Sequence, residues 1–373
     1  MRKIVVLSLR DIRNSLAGGA PLYIHEIFKR LSTRYDITLV SVGGPNLSSR
    51  ETIDGMKIVR VPVPKLSRFS IPLSLISRMV GPADMLIDNG DVGFPWLSPL
   101  YSKKPIVSVV YQVATEVFRY ELPRPLAEIA LRVEPWIYRI YRKKTIVTCS
   151  SSTKTDLMRI GIPAENITIV RPGIDEHFLR FQPSGEKFAE PTIVCIGRFR
   201  RYKGIHYAIE AMKYILPRVP GARLIIVGSG DSTQIERQAN ETDFEDRIKI
   251  LKRAPYQWNE EKRSLLEKAH VVLVPSVREG YGIVVIEANA CGTCAVGWKV
   301  PGLQDSIIDE QTGILVPFDN VQMMANRVSG LLMNSGYRQR LACSALQWAR
   351  GHSWEKAAEE FGHLIDSVGQ CSA

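Results

Sequence analysis

The chain has 373 residues, 45% of them hydrophobic and 23% charged, which is too long for one ordinary core and excludes a disordered or fibrous protein. Its 49 Lys and Arg outnumber 38 Asp and Glu for a net charge of +11, and six scattered cysteines lack the spacing of a disulfide framework, which points to a reducing, cytosolic setting. No apolar run approaches the ~20 residues of a membrane span.

In chain order, Ile4 to Leu9 reads as a first strand because Arg10-Asp11 interrupts it after six residues, too few for a signal peptide. A loop then leads through Gly18-Gly19-Ala20-Pro21 to a helix beginning near Leu22. Paired glycines ahead of a first-turn proline allow close backbone approach to a phosphate or an acceptor, although a plain tight turn has the same composition. Strands follow at 37–42, 58–63 and 85–88, the last running into the polar Asp88-Asn89-Gly90-Asp91. Others are expected at 106–110, before Tyr111-Gln112, and at 146–149 and 167–170. The alternation restarts at 193–197 and continues at 224–227, 248–251, 271–274 and 295–296, so two doubly wound α/β units are implied. We place the linker after Arg171-Pro172-Gly173, in the polar stretch 182–190, with the first domain as 1–171 and the second as 172–353. A last helical pattern covers 354–368.

The charge is unevenly distributed. Residues 1–171 hold 25 basic and 14 acidic side chains, whereas 172–373 hold 24 of each, so the whole net charge lies in the first domain. Two stretches there, 65–80 and 131–144, mix Lys and Arg with aromatic and aliphatic residues. That mixture suits an anionic membrane surface, and equally an amphipathic helix with a solvated basic face. No nucleic-acid module is visible, so nucleic acid is not expected as a partner.

The second domain carries the chemistry. Its first strand runs into Gly197-Arg198-Phe199-Arg200-Arg201-Tyr202-Lys203-Gly204 and a helix, which sets cations at the positive end of a helix dipole and so calls for an anion. Val227-Gly228-Ser229-Gly230 and Lys252-Arg253-Ala254-Pro255 end the next two strands. The most informative stretch begins at Pro275-Ser276-Val277-Arg278-Glu279-Gly280-Tyr281-Gly282-Ile283 and enters an apolar helix of about ten residues containing Glu287. A carboxylate on such a helix needs a partner, either a ligand or a nearby arginine. Glu279 and Glu287 can both face the C-terminal edge of a parallel sheet, where unpaired N–H groups beside Gly280 and Gly282 also favour an anion. Two carboxylates beside an anion site suit a ligand bearing hydroxyls and phosphate, since a vicinal diol binds a charged carboxylate through two strong hydrogen bonds. Cys291-Gly-Thr-Cys294 falls where this helix gives way to a strand and has no second pair, so a structural role is expected there.

The glutamate pair, with its spacing, its loop glycines and the following Glu-Ala-x-Ala-x-Gly, resembles that of the retaining glycosyltransferases of glycosyl transferases group 1, known as family 4. The resemblance implies the GT-B fold: two Rossmann-like doubly wound domains facing a cleft, with the 354–368 helix packing back on the first. It implies a hexose transferred from a UDP- or GDP-sugar to a saccharide or lipid-linked acceptor. Arg198 and Lys203 would then grip the donor diphosphate, Glu279 the transferred sugar and Glu287 the ribose. Gly18, Gly19, Gly197, Gly228, Arg253, Gly280, Tyr281, Gly282 and Ile283 would complete the donor site, with the Lys252–Pro255 segment meeting the base through backbone groups. No cofactor, metal or protein nucleophile is implied, because a donor phosphate oxygen helps deprotonate the acceptor. Many members carry a histidine after the strand matching 106–110. Here Tyr111 or Gln112 takes that place, with Asp88 and Asn89 on the same edge, or the role is absent. The last case leaves a catalytically silent nucleotide-sugar-binding subunit as the alternative to an enzyme. The basic first domain adds the expectation of a cytoplasmic protein lying peripherally on the inner face of a membrane.

Overall fold

The computed structural model describes residues 1–44, 46–61, 80–90, 95–254 and 258–370. The basic stretch 65–79, Pro62 and Val63 of the third expected strand, Asp91 and Pro255 lie outside the described residues. The rest forms two compact units, one from Met1–Thr115, Arg124–Gly173 and Trp354–Ala373, the other from Glu116–Pro123 and Ile174–Ser353. The first unit is therefore not an uninterrupted 1–171: Glu116–Pro123 groups with the second.

The first unit is built on an eight-stranded sheet in the order β3-β4-β2-β1-β5-β6-β7-β8. These strands are β1 Lys3–Leu7, β2 Asp36–Val42, β3 Arg50–Ile53, β4 Met56–Val61, β5 Met85–Gly90, β6 Ile106–Val110, β7 Thr145–Thr148 and β8 Ile167–Ile169. All pair in parallel except β3, which the sequence reading missed and which pairs antiparallel with β4. Its turn, Asp54-Gly55 at φ 47° and 79°, has the backbone hand that suits a two-residue hairpin. The inner strands are largely apolar because helices cover parallel sheets on both faces; Ile4–Leu7 and Ile106–Val110 are entirely buried. The Gly19–Leu31 helix starts three residues before the expected Leu22, since Pro21 already has a helical φ and no N–H to satisfy in the first turn. Against it lies the Trp354–Gln370 helix, with Phe28 meeting Phe361 edge-on at 5.3 Å and Tyr23 meeting Trp354 at 5.9 Å.

In the second unit the order is β11-β10-β9-β12-β13-β14, all parallel. The strands are β9 Thr192–Ile196, β10 Arg223–Gly228, β11 Ile248–Lys252, β12 Val271–Val274, β13 Ala295–Trp298 and β14 Gly313–Val316. The four-residue β14 was also missed from sequence. Chain order reverses on either side of β9, which sits between β10 and β12. Such a switch point opens a crevice at the C-terminal ends of the strands.

Candidate nucleotide-sugar site

Three segments leave the sheet of the second unit at that switch point: Gly197–Gly204 after β9, Gly228–Gly230 at the end of β10, and Pro275–Gly282 after β12. Two glycines set how closely they approach. At Gly204 the backbone is left-handed, with φ 66°, and a Cβ would lie 1.9 Å from the Pro275 carbonyl oxygen. A Cβ on Gly228 would lie 2.0 Å from the Gly197 carbonyl oxygen. Any side chain at either position would push apart the segments that carry the charged groups. The Val277 N–H donates to the Tyr202 carbonyl at 2.8 Å, which ties the β9 segment to the β12 segment in register.

This register brings Lys203 onto Glu279, with Nζ donating to Oε1 at 2.5 Å. Burial disfavours the lysine's charge, but the Glu279 carboxylate more than offsets it and holds the Lys203 pKa above its ordinary value. The anion that the cationic turn called for is thus supplied in part by the chain itself. Arg198 donates to the Tyr202 hydroxyl at 3.1 Å, and the Lys203 ammonium lies 5.2 Å from the centre of the Tyr202 ring, so one aromatic side chain orients both cations. Arg198, Lys203 and Glu279 are all only partly buried.

The Ile283–Ala290 helix is eight residues long and opens at Gly282 with no side-chain cap. Its residues from Val285 onward are buried, Glu287 included. The Glu287 carboxylate is held by Lys262, from the Asn259–Lys268 helix. The partner is a lysine where the sequence suggested an arginine, and its place in a different helix gave no sequence signal. Glu287 and Lys262 keep 10% and 16% of their side chains exposed, so the pair stands at the edge of the fold and not in its centre.

Tyr281, between the two loop glycines, points inward. Its hydroxyl lies 2.6 Å from His352 Nε2, while His352 Nδ1 lies 3.0 Å from the Trp348 carbonyl. A carbonyl only accepts, so Nδ1 carries the proton and the Tyr281 hydroxyl donates to Nε2. Tyr281 anchors the loop, and His352, some seventy residues on, is a supporting group that no local motif disclosed. The Arg253 N–H donates to the Gly228 carbonyl at 2.8 Å, and its guanidinium to Glu261 at 3.0 Å. Its own amide is therefore engaged within the fold. Cys291 and Cys294 are fully buried, and burial pushes both thiols up, Cys294 to about 11, as expected of structural cysteines.

The first unit arranges its expected residues differently. Gly18 is the N-cap of the Gly19–Leu31 helix, and the Tyr111 hydroxyl donates to the Ala20 carbonyl at 3.1 Å, so Gly18, Gly19 and Tyr111 come together. The Gln112 carbonyl accepts a long hydrogen bond from Tyr138 at 3.4 Å. Asp88 does not reach an open edge. It is fully buried, accepts from the Trp96 N–H at 2.7 Å and the Ser98 hydroxyl at 2.5 Å, and is bonded to the Tyr141 hydroxyl. Burial raises its pKa despite those bonds. Asn89 is equally buried and donates to the Ser8 hydroxyl at 2.9 Å. Both expected contact residues are thus structural, because β5 is a central strand and its side chains have no path outward.

Comparison with known proteins bears on this arrangement. The family model described as Glycosyl transferases group 1 matches residues 179–348, and that described as Glycosyltransferase Family 4 matches 17–178. The chain belongs to this glycosyltransferase family. A D-inositol 3-phosphate glycosyltransferase of Corynebacterium urealyticum is 30% identical over 222 residues, covering 54% of this chain and 51% of the relative. The chain thus spans about half the length of the curated relatives it matches. Among solved structures, the sucrose-phosphate synthase of Thermosynechococcus elongatus superposes with a TM-score of 0.80 at 21% identity over 100% of both chains. HepE of Anabaena, solved with UDP and glucose, reaches 0.78 at 17% identity over 98% of this chain and 100% of its own. The fold is the GT-B fold of these structures.

Proposed function

We propose that this family member is a retaining glycosyltransferase that moves a hexose from a UDP- or GDP-sugar to a saccharide or lipid-linked acceptor. The observation that carries the reading is the pair of lysine-held glutamates, Glu279 with Lys203 and Glu287 with Lys262, on segments that converge at the β9 switch point. A diphosphate is a stronger anion than one carboxylate, so it can draw Lys203 from Glu279 and leave that carboxylate to hydrogen-bond the hydroxyls of the transferred sugar. Arg198 and Lys203 then stabilise the charge that builds as the nucleoside diphosphate departs, while Glu287 holds the ribose diol. A donor phosphate oxygen takes the acceptor proton as the acceptor oxygen bonds to the anomeric carbon from the face the diphosphate leaves. Configuration is thereby kept without a protein nucleophile. On this reading the protein works in the cytoplasm, and the basic first unit meets an anionic membrane surface where a lipid-linked acceptor would lie.

The test is thermal stabilisation of the purified chain by UDP, GDP and their sugars, followed by release of the free diphosphate. Stabilisation by one nucleotide with slow donor hydrolysis is the expected result. Binding without any turnover would demote the chain to a silent subunit, and no response to either nucleotide would overturn the reading.

A further inference from the structure

The Arg124–Arg139 helix of the first unit turns four large apolar side chains to solvent. Leu126, Ile129, Val133 and Trp136 are 54%, 57%, 43% and 69% exposed. Their spacing puts them in one stripe along the helix, since residues three and four apart share a face. Eleven large hydrophobic residues are exposed among the described residues, and this single helix of 16 residues holds four of them. Scattered exposed apolar residues need no explanation, but an aligned row does.

The opposite face fixes the helix's rotation. Ala127, Glu134 and Tyr138 are buried, and the Glu134 carboxylate accepts from the Ala114 and Thr115 N–H groups at 2.6 and 3.2 Å. That carboxylate is locked to the backbone, so the helix cannot roll to hide its stripe. Arg132 and Arg139 border the stripe, Arg124 begins the helix and Arg142 and Lys143 follow its end; all five are exposed, against Glu128 as the exposed acid of the helix. The Arg139 guanidinium lies 5.1 Å from the centre of the Trp136 ring, so a cation and an indole are presented together. A row of Leu, Ile, Val and Trp flanked by arginines on a surface helix matches a lipid interface, where aliphatic groups enter the acyl boundary, indole sits among headgroups and guanidinium meets phosphate.

We propose that this helix, with the turn that follows it, is the element that seats the first unit on anionic lipid, with Ile129, Val133 and Trp136 entering the bilayer and Arg132, Arg142 and Lys143 meeting headgroup phosphates. The inference rests on the anionic surface named in the proposed function and assigns it to one stripe. A docking face made only of charge would bind through counterions and vanish in salt, whereas this one has an apolar component that salt does not screen.

The experiment is co-sedimentation of the full chain with phosphatidylglycerol–phosphatidylcholine vesicles and with phosphatidylcholine alone, over a range of salt. Wild type is expected to pellet with the anionic vesicles and keep a residual salt-resistant fraction. Replacing Ile129 and Trp136 together with serine should lower partitioning at least about tenfold and remove that fraction, as loss of two buried apolar side chains would. Replacing Arg132, Arg142 and Lys143 with glutamine should remove the salt-sensitive part. Met333→Ser, which alters an equally exposed apolar residue of the second unit, should change nothing. Unaltered thermal stabilisation by the nucleotide establishes that each variant is folded and that the donor reading stands on its own. Serine variants that bind like wild type, equal binding to neutral vesicles, or no binding at all would overturn the proposal. Self-association of wild type that the serine variant abolishes would give the stripe to a second copy of the chain and overturn it equally.

Discussion

The two units share an architecture but use their carboxylates in opposite ways. In the first, Asp11 and Asp88 are buried to 2% and 0% exposure; Asp11 ties its loop to β2 and β4 through Ser41 and Arg60, and Asp88 ties β5 to the segment carrying Trp96 and Ser98. In the second, Glu279 and Glu287 stand at the rim, each against a single lysine. A carboxylate locked by several donors cannot be recruited by a ligand without unfolding its surroundings, whereas one held by a single partly exposed lysine can exchange that partner for phosphate or hydroxyl. Charge at the core of one sheet edge holds the fold, and charge at the rim of the other is available to bind.

The sharpest way to break this contrast is at Arg60, whose guanidinium clamps Asp11 at 2.7 and 2.8 Å while Ser41 donates at 2.8 Å. Arg60→Leu leaves an unpaired buried charge and should cost about 3–5 kcal/mol of stability, measured by denaturant titration. Burial alone would raise the Asp11 pKa, but hydrogen bonds from Arg60, Ser41 and the Arg13 N–H outweigh it and hold it below 3.8. A lowered folded pKa means that this stabilisation is present above 3.8 and lost as pH falls through the lower folded value. Stability of wild type should therefore drop more steeply on acidification than that of the variant. Equal acid sensitivity would remove Asp11 from the fold-holding class.

At the rim the expected loss is in rate. Arg198→Ala should cut turnover by roughly a hundredfold, as removal of a charge-stabilising group does, while the melting temperature stays within a few degrees. A variant that loses stability and keeps its rate would move Arg198 to the structural class. The smallest effect separates the glutamates. Glu287→Gln should weaken nucleoside diphosphate binding by roughly tenfold, the worth of a charged hydrogen bond, and Glu279→Gln should spare binding yet slow sugar transfer. Calorimetry giving equal affinities for both variants would erase the division of roles.

The same contrast explains what could be read from sequence. Glu279, Gly280, Gly282 and Glu287 occupy one continuous strand-loop-helix segment, so their convergence is local and visible. Arg198, Tyr202 and Lys203 likewise share a single turn. Lys262, which holds Glu287, arrives from a helix whose own pattern says only amphipathic, and His352, which holds Tyr281, from the short connection between the Ser335–Ala349 and Trp354–Gln370 helices. Asp88 looked available because it ends a strand in a polar run, yet Ser98 and Tyr141, ten and 53 residues away, enclose it. The strands β3 and β14, at four residues each, offered too short an apolar run to separate from loop, although Asp54-Gly55 marked the first of them.

Gly204 bears on how this protein can change over generations. Its missing side chain sets the spacing between the turn that carries Lys203 and the strand end that leads to Glu279, so no gradual series of larger residues is open there. Substitution at neighbouring Arg201, which is exposed, alters only surface chemistry. A lineage can therefore vary exposed positions such as Arg201, but it inherits the width of the crevice as a fixed dimension.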